Sequence, residues 1–327
     1  MRKIVALFVI VTTIVGLRAQ TPADSILHTS AEADSAALQR VEPIIIEPLF
    51  EYPTAPDELK TIQERADWLM ENFWKPFDFT KSSVSQAALD HAFQVYVTPL
   101  RWATPEVAEK QLDALIKTLS KYPPMLLQFT KAAENNLFSD RAPMWVDGAY
   151  MKFLDALMAD KKIPELRKAR YKEERKLLKN SLIGSKLPVF DYVTPIGEKG
   201  KLEFTTPYTV VIFGDPFCNE CAMYKIAIES MPELASMIAD EQLNIYYIIP
   251  DGESVEDWQR QLARYPSAWK RGAGVELDAV YDLRQQPSVY LLGADGTIIN
   301  KFMTSEALKN YLVTTDRKIL LKSNNEN

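Results

Sequence analysis

Between residues 20 and 183 the chain holds a single glycine, Gly148, whereas residues 184–327 hold nine. Glycine serves turns, bulges and close backbone approaches. A long stretch without it is restricted to elements that need few tight turns. Apolar residues in that stretch recur at three- and four-residue steps, as in Leu59, Ile62, Ala66, Leu69, Met70 and Phe73. That spacing places them on one face of a helix.

The first helix is expected to start at Asp57, which follows Pro56 and suits an N-cap. Further helices are expected over about 84–98, 105–120, 123–137, 145–159 and 165–181. Pro105, Pro123 and Pro164 sit at or near three of these starts, where a missing N–H costs nothing. No repeat of fixed period appears. Residues 51–182 therefore read as an all-helical domain. The early aromatics Trp68, Phe73, Trp74, Phe77 and Phe79 suit its core, with a binding face as the other reading. The charge-rich run Arg167 to Lys176 reads as a solvated helix face.

The two ends need separate treatment. Arg2 and Lys3 precede an apolar run, Ile4 to Leu17, which closes on Arg18-Ala19 before Gln20. This is the layout of a secretory signal peptide over residues 1–19. The run is too short to span a bilayer comfortably. Its removal takes away Arg2, Lys3 and Arg18 and no acid, so the formal charge of −6 becomes −9. An acidic chain with no basic cluster argues against nucleic acid and anionic membrane surfaces as partners. Residues 20–50 read as a flexible arm broken by Pro22, Pro43 and Pro48, with Ile44-Ile45-Ile46 as the part able to dock. An exported chain is periplasmic or secreted and is not expected to stay inserted in a membrane once the leader is cleaved.

After Gly184 the texture changes. Leu187 to Val193 and Leu202 to Phe204 read as short strands, and Tyr208 to Phe213 and Leu243 to Ile249 as buried ones. Helical stretches follow from about Asn219 and around Trp258, and a short one lies near Leu277. Ser288 to Leu292, the turn Ala294-Asp295-Gly296 and Thr297 to Phe302 read as a hairpin, with a last helix from Thr304. Residues 183–327 are thus expected to form an α/β domain, a small mixed sheet with helices on both faces. Strands 208–213, 243–249 and 288–292 are expected parallel, and the closing hairpin antiparallel.

The chemistry lies at Cys218-Asn219-Glu220-Cys221, where a buried strand passes into a helix. A helix N-terminus offers free N–H groups and partial positive charge, which stabilise a thiolate. Two intervening residues let both sulfurs share the first turn, with Cys218 exposed to attack a disulfide and Cys221 behind it to resolve the product. Other readings stand beside this one. A zinc site needs about four ligands, and only the remote His28 and His91 could join the pair. A structural disulfide closing so short a loop restrains the unfolded chain by only roughly 2 kcal/mol. A domain that keeps the pair without turnover is the remaining case. No metal or cofactor is implied.

Pro287 follows Gln285-Gln286 and opens a strand that otherwise reads as central. It is either an ordinary strand-opening proline or a cis-proline facing the cysteines. In the second case Gln286 offers its backbone to an extended substrate segment.

Residues 185–322 resemble the thioredoxin superfamily, and within it exported thioredoxin-like proteins. The match is carried by Tyr208 to Phe213, Cys218-Asn219-Glu220-Cys221, Pro287 and the Ala294-Asp295-Gly296 hairpin. Arg264-Tyr265-Pro266-Ser267-Ala268-Trp269 and Tyr281-Asp282-Leu283-Arg284 extend it. Glu64 to Leu69 and Phe73 to Phe79 resemble the start of the helical domain of unknown function that precedes the fold in that branch. The resemblance implies Cys218 as attacking thiol, Cys221 as resolving thiol, and Phe217, Gln286 and Pro287 in the substrate groove. It also implies protein thiols and disulfides as substrates, with a redox partner that the sequence does not name.

Three departures stand out. Ile212 occupies the place near which many thioredoxins carry a buried Asp, Phe217 replaces the common Trp, and Asn219-Glu220 replaces Gly-Pro. Asp215 or Glu220 is then a proton relay or a solvated loop charge. A carboxylate beside a thiolate opposes its formation, which favours a reductase or isomerase-like poise over a strong oxidant. The competing functional class is a non-catalytic docking protein on the same scaffold.

Overall fold

The computed structural model describes residues 46–325. The expected signal peptide, most of the arm, and Ile44-Ile45 lie outside the described residues. Ile46 is exposed, whereas the aromatic ring of Phe50 packs against Phe73 and Trp74 at centroid distances of 5.5 and 5.7 Å.

Six helices come first: α1 Ile62–Asn72, α2 Gln86–Val97, α3 Pro105–Leu119, α4 Pro123–Leu137, α5 Asp147–Ala159 and α6 Glu165–Ser181. The first start differs from expectation. Thr61, not Asp57, caps α1, because Thr61 and Glu64 close a reciprocal capping box that Asp57 has no partner to make. Leu59 thus precedes the helix, and Ile62 faces solvent. The early aromatics form core: Phe73, Trp74 and Phe77 are buried with Tyr96 and Phe129, edge to face. The face of α6 is less solvated than its charge suggests. Lys168 and Tyr171 are buried, and Arg170 makes two short bonds to Glu134 at 2.7 and 2.5 Å.

The second part opens with two short strands, β1 Asp191–Val193 and β2 Lys199–Lys201. The central strand β3 Tyr208–Phe213 leads into α7 Asn219–Glu229, α8 Pro232–Ala239, β4 Leu243–Ile249 and a one-turn α9 Trp258–Leu262. Then come β5 Lys270–Ala273, β6 Ser288–Gly293, β7 Ile298–Lys301 and α10 Ser305–Asn325. The seven strands form one mixed sheet in the order β2-β1-β5-β4-β3-β6-β7.

Two expectations about the sheet are corrected. The third parallel strand is β5, whose Lys270-Arg271-Gly272-Ala273 lacks the β-branched residues that mark a strand in sequence. Its register against β4 is set by neighbours distant in the chain. Strand β6 consequently runs antiparallel to β3, not parallel, with Phe213 opposite Ser288. The strand expected at Leu202 to Phe204 is β2, three residues earlier, antiparallel to β1.

Alternation along the central strands sorts the core. Val210, Ile212, Ile245, Tyr247, Val289 and Leu291 face α7, α8 and α10. Val211, Phe213, Tyr246, Ile248, Tyr290 and Leu292 face Leu187, Phe190, Leu277 and Tyr281. Residues from Ile46 on make one compact unit, so the helices and the sheet are in direct contact. No helix among the described residues is long and apolar enough to cross a membrane.

Candidate functional site

Strand β3 delivers the chain to the site along the middle of the sheet, held by β4 on one side and β6 on the other. After Phe213 the loop turns at Gly214, and the Asp215 side chain accepts a bond from the Phe217 amide at 2.8 Å. The Asp215 carbonyl accepts from the Cys218 amide at 3.1 Å. These two bonds set the direction in which the chain enters α7.

Cys218 is the N-cap of α7. Its sulfur accepts from the Cys221 amide at 3.2 Å, as a capping side chain does. The Cys218 thiol also donates to Glu220 Oε2 at 3.5 Å. Glu220 is exposed in the first turn of α7 and in contact with the pair. Cys218 is partly exposed, Cys221 is fully buried behind it, and both are free thiols. Burial pushes the Cys221 thiol up from 9.0 to about 12, and the neighbouring Cys218 sulfur adds to this. A backbone hydrogen bond from Asp215 pulls the other way.

The turn before β6 lies against the pair. The Gln286–Pro287 peptide is cis. Gln286 is exposed and Pro287 is buried at the start of the strand. Gln286 and Pro287, adjacent in the chain, thus differ in exposure. Gln286 also does something its sequence context did not suggest: its side-chain Oε1 accepts from the Cys221 thiol at 3.5 Å. Phe217 is 58% exposed next to Cys218. Met223 and Ile226, three positions apart on α7, are exposed apolar side chains as well.

Beneath Cys221 lie residues missed in the sequence. A methyl group on Gly214 would stand 2.6 Å from the Tyr247 hydroxyl and 3.3 Å from Cys221 Sγ, so only glycine fits between them. The Tyr247 hydroxyl is buried with no well-formed hydrogen bond among the described residues, and its ring centroid is 4.6 Å from that of Tyr265. Burial raises the Tyr247 phenol far above its ordinary value, with Tyr265 as the next cause. Nothing in the local sequence marks Tyr247, because it reads as one more apolar position of β4. Among the described residues no group of His, Cys, Asp or Glu is arranged to hold a metal. A cleft of about 860 Å³ runs along β1 and β5 and includes neither cysteine.

A solved thioredoxin-like protein from Bacteroides caccae superposes on this architecture with a TM-score of 0.69 at 23% identity, covering 82% of this chain and 99% of its own. The chain has a thioredoxin-like fold. Residues 19–181, ahead of the sheet, match the family model described as a domain of unknown function, DUF5106. A conserved protein of unknown function from Bacteroides fragilis matches at 29% identity over 40% of this chain and 98% of its own, with a TM-score of 0.38. The thioredoxin domain of a thiol-disulfide oxidoreductase from Bacteroides vulgatus matches at 21% over 41% and 96%, with a TM-score of 0.35. The fold assignment rests on the first of the three. No curated protein matches the sequence. Within this thioredoxin-like fold the position of the missing acid, Ile212, is fully buried and apolar.

Proposed function

We propose that this chain is an exported thiol-disulfide oxidoreductase that exchanges disulfides with polypeptide substrates. The observation carrying the reading is the asymmetric pair at one helix mouth. Cys218 is reachable and lies at the N-terminal end of the α7 dipole. Cys221 is enclosed, one helical turn away, and keeps its proton until a substrate arrives.

The steps balance as follows. The Cys218 thiolate attacks one sulfur of a substrate disulfide, forming a mixed disulfide and releasing the other sulfur as a thiolate. Cys221 passes its proton towards that leaving thiolate or solvent. Its sulfur then attacks Cys218 Sγ, forms the Cys218–Cys221 bond and releases the second substrate thiolate. Two electrons pass from the protein to the substrate, and the reverse sequence oxidises a substrate dithiol. Phe217, Met223 and Ile226 present apolar surface to an extended segment lying along Gln286 and Pro287.

The test is reduction of a polypeptide disulfide such as insulin by the reduced chain, with thiol titration before and after. Cys218→Ser is expected to lower the rate by at least about 100-fold. Cys221→Ser is expected to accumulate a mixed disulfide through Cys218, visible as an added mass that dithiothreitol removes. A wild-type chain that neither turns over nor changes its thiol count sinks the reading and leaves a docking protein on a thioredoxin-like scaffold.

A further inference from the structure

The turn that carries Gln286 and Pro287 is held from outside the sheet. Arg284, two residues before Gln286, reaches into the helical part. Its Nη1 donates to the Phe138 carbonyl at 2.6 Å, and its Nη2 donates both to Asp147 and to Asp282, the latter at 2.7 Å. Lys301 closes the ring, with Nζ 2.7 Å from Asp147 Oδ2 and from Asp282 Oδ2. Two acids and two bases thus balance in a site where the Arg284 side chain is 9% exposed and that of Asp147 13%. Buried charges of this kind hold a geometry because separating them leaves an unpaired ion.

Aromatic rings complete the enclosure. The guanidinium carbon lies 4.2 Å from the Phe138 ring centroid, 5.0 Å from that of Trp145 and 5.4 Å from that of Phe302. Phe302 adopts φ 56°, an uncommon conformation for a large side chain. Its ring lies 5.1 Å from that of Trp145. The end of α6 grips the same turn: Asn180 donates to the Val280 carbonyl at 3.0 Å, and Ser181 Oγ accepts from the Asp282 amide at 3.1 Å.

We propose that the helical part is a positioning element of the redox site, in which Asp147 and Arg284 hold the turn that places Gln286 over Cys221. The proposal builds on the exchange reading for its consequence, but its geometry stands apart from it. The helical part sets the groove, while the reactivity of Cys218 belongs to β3 and α7. Asp147 and Arg284 are positioning residues: neither touches a sulfur.

The test uses the full chain with Cys218→Ser, so that alkylation by iodoacetamide reports Cys221 alone. Asp147→Asn and Arg284→Lys are each expected to raise the native-state alkylation rate of Cys221 by about tenfold, because Gln286 no longer covers it. Leu119→Ala, a buried α3 position away from the cluster, is the control for general loosening and is expected to stay within about twofold of the parent. An unchanged rate in both cluster variants overturns the proposal, as does an equal rise in Leu119→Ala. In chains with both cysteines, the cluster variants are expected to raise KM for a peptide disulfide by about tenfold with kcat held within about threefold. A fall in kcat with KM unchanged overturns it. If wild type performs no exchange, the exchange reading fails, and the alkylation comparison still decides the positioning role.

Discussion

The two thiols of the pair differ by what surrounds them, and pH should expose the difference. Burial holds the Cys221 proton in the folded chain up to about 12, whereas the unfolded thiol releases it near 9. Below the unfolded value both states are protonated and the contribution to stability is complete. As pH rises from about 9 towards about 12 the unfolded state ionises first, so that contribution is lost. The reduced protein should therefore lose more stability over this window than Cys221→Ser does, as denaturant midpoints at pH 8, 9, 10 and 11 would show. Equal losses in the two proteins would refute the enclosure of Cys221. The buried Tyr247 acts in the same direction and is present in both proteins. The cysteines were legible as chemistry in the sequence because the chain has only two and they stand three positions apart, and Pro287 because it opens a strand that otherwise reads as central. Gly214, Tyr247 and Arg284 were not, because each matters only through a partner distant in the chain.

At the scale of elements, local signals carried most of the helices. Pro105 and Pro123 stand at the first positions of α3 and α4, where φ is already suitable. The start of α1 shows the limit of such reading, since two acceptable caps lay four residues apart and only Thr61 has Glu64 at the position that completes a box. Thr61→Ala should lower stability by about 1 kcal/mol, read as a shift in denaturant midpoint with an unchanged slope. Strand β5 illustrates the opposite case. Its four residues have little intrinsic tendency to extend, and pairing of Tyr246 to Ile249 with Lys270 to Ala273 decides their conformation. Missing β5 made β6 look like a third parallel strand. A short apolar run such as Val289 to Leu292 carries no information about the direction of its neighbour.

At the scale of the whole molecule, the helical and sheet parts lie in one compact unit and are joined through a buried ionic cluster and the end of α6. The proposed export has its own expected outcome. Chain recovered from a host that processes secretory leaders should have the mass of residues 20–327, and an intact Met1 start on all recovered protein would refute cleavage. Sequence alone determined the helical character of the first half, the strand-to-helix placement of Cys218 and Cys221, and the hairpin near the end. Each of these is written in residue periodicity or turn chemistry within a short window. Tertiary structure decided the direction of β6, the existence of β5, the burial of Pro287, and the joining of Asp147 to Arg284 across 137 positions. Those outcomes depend on which distant groups compensate one another when water is removed, and no local pattern in the chain encodes that pairing.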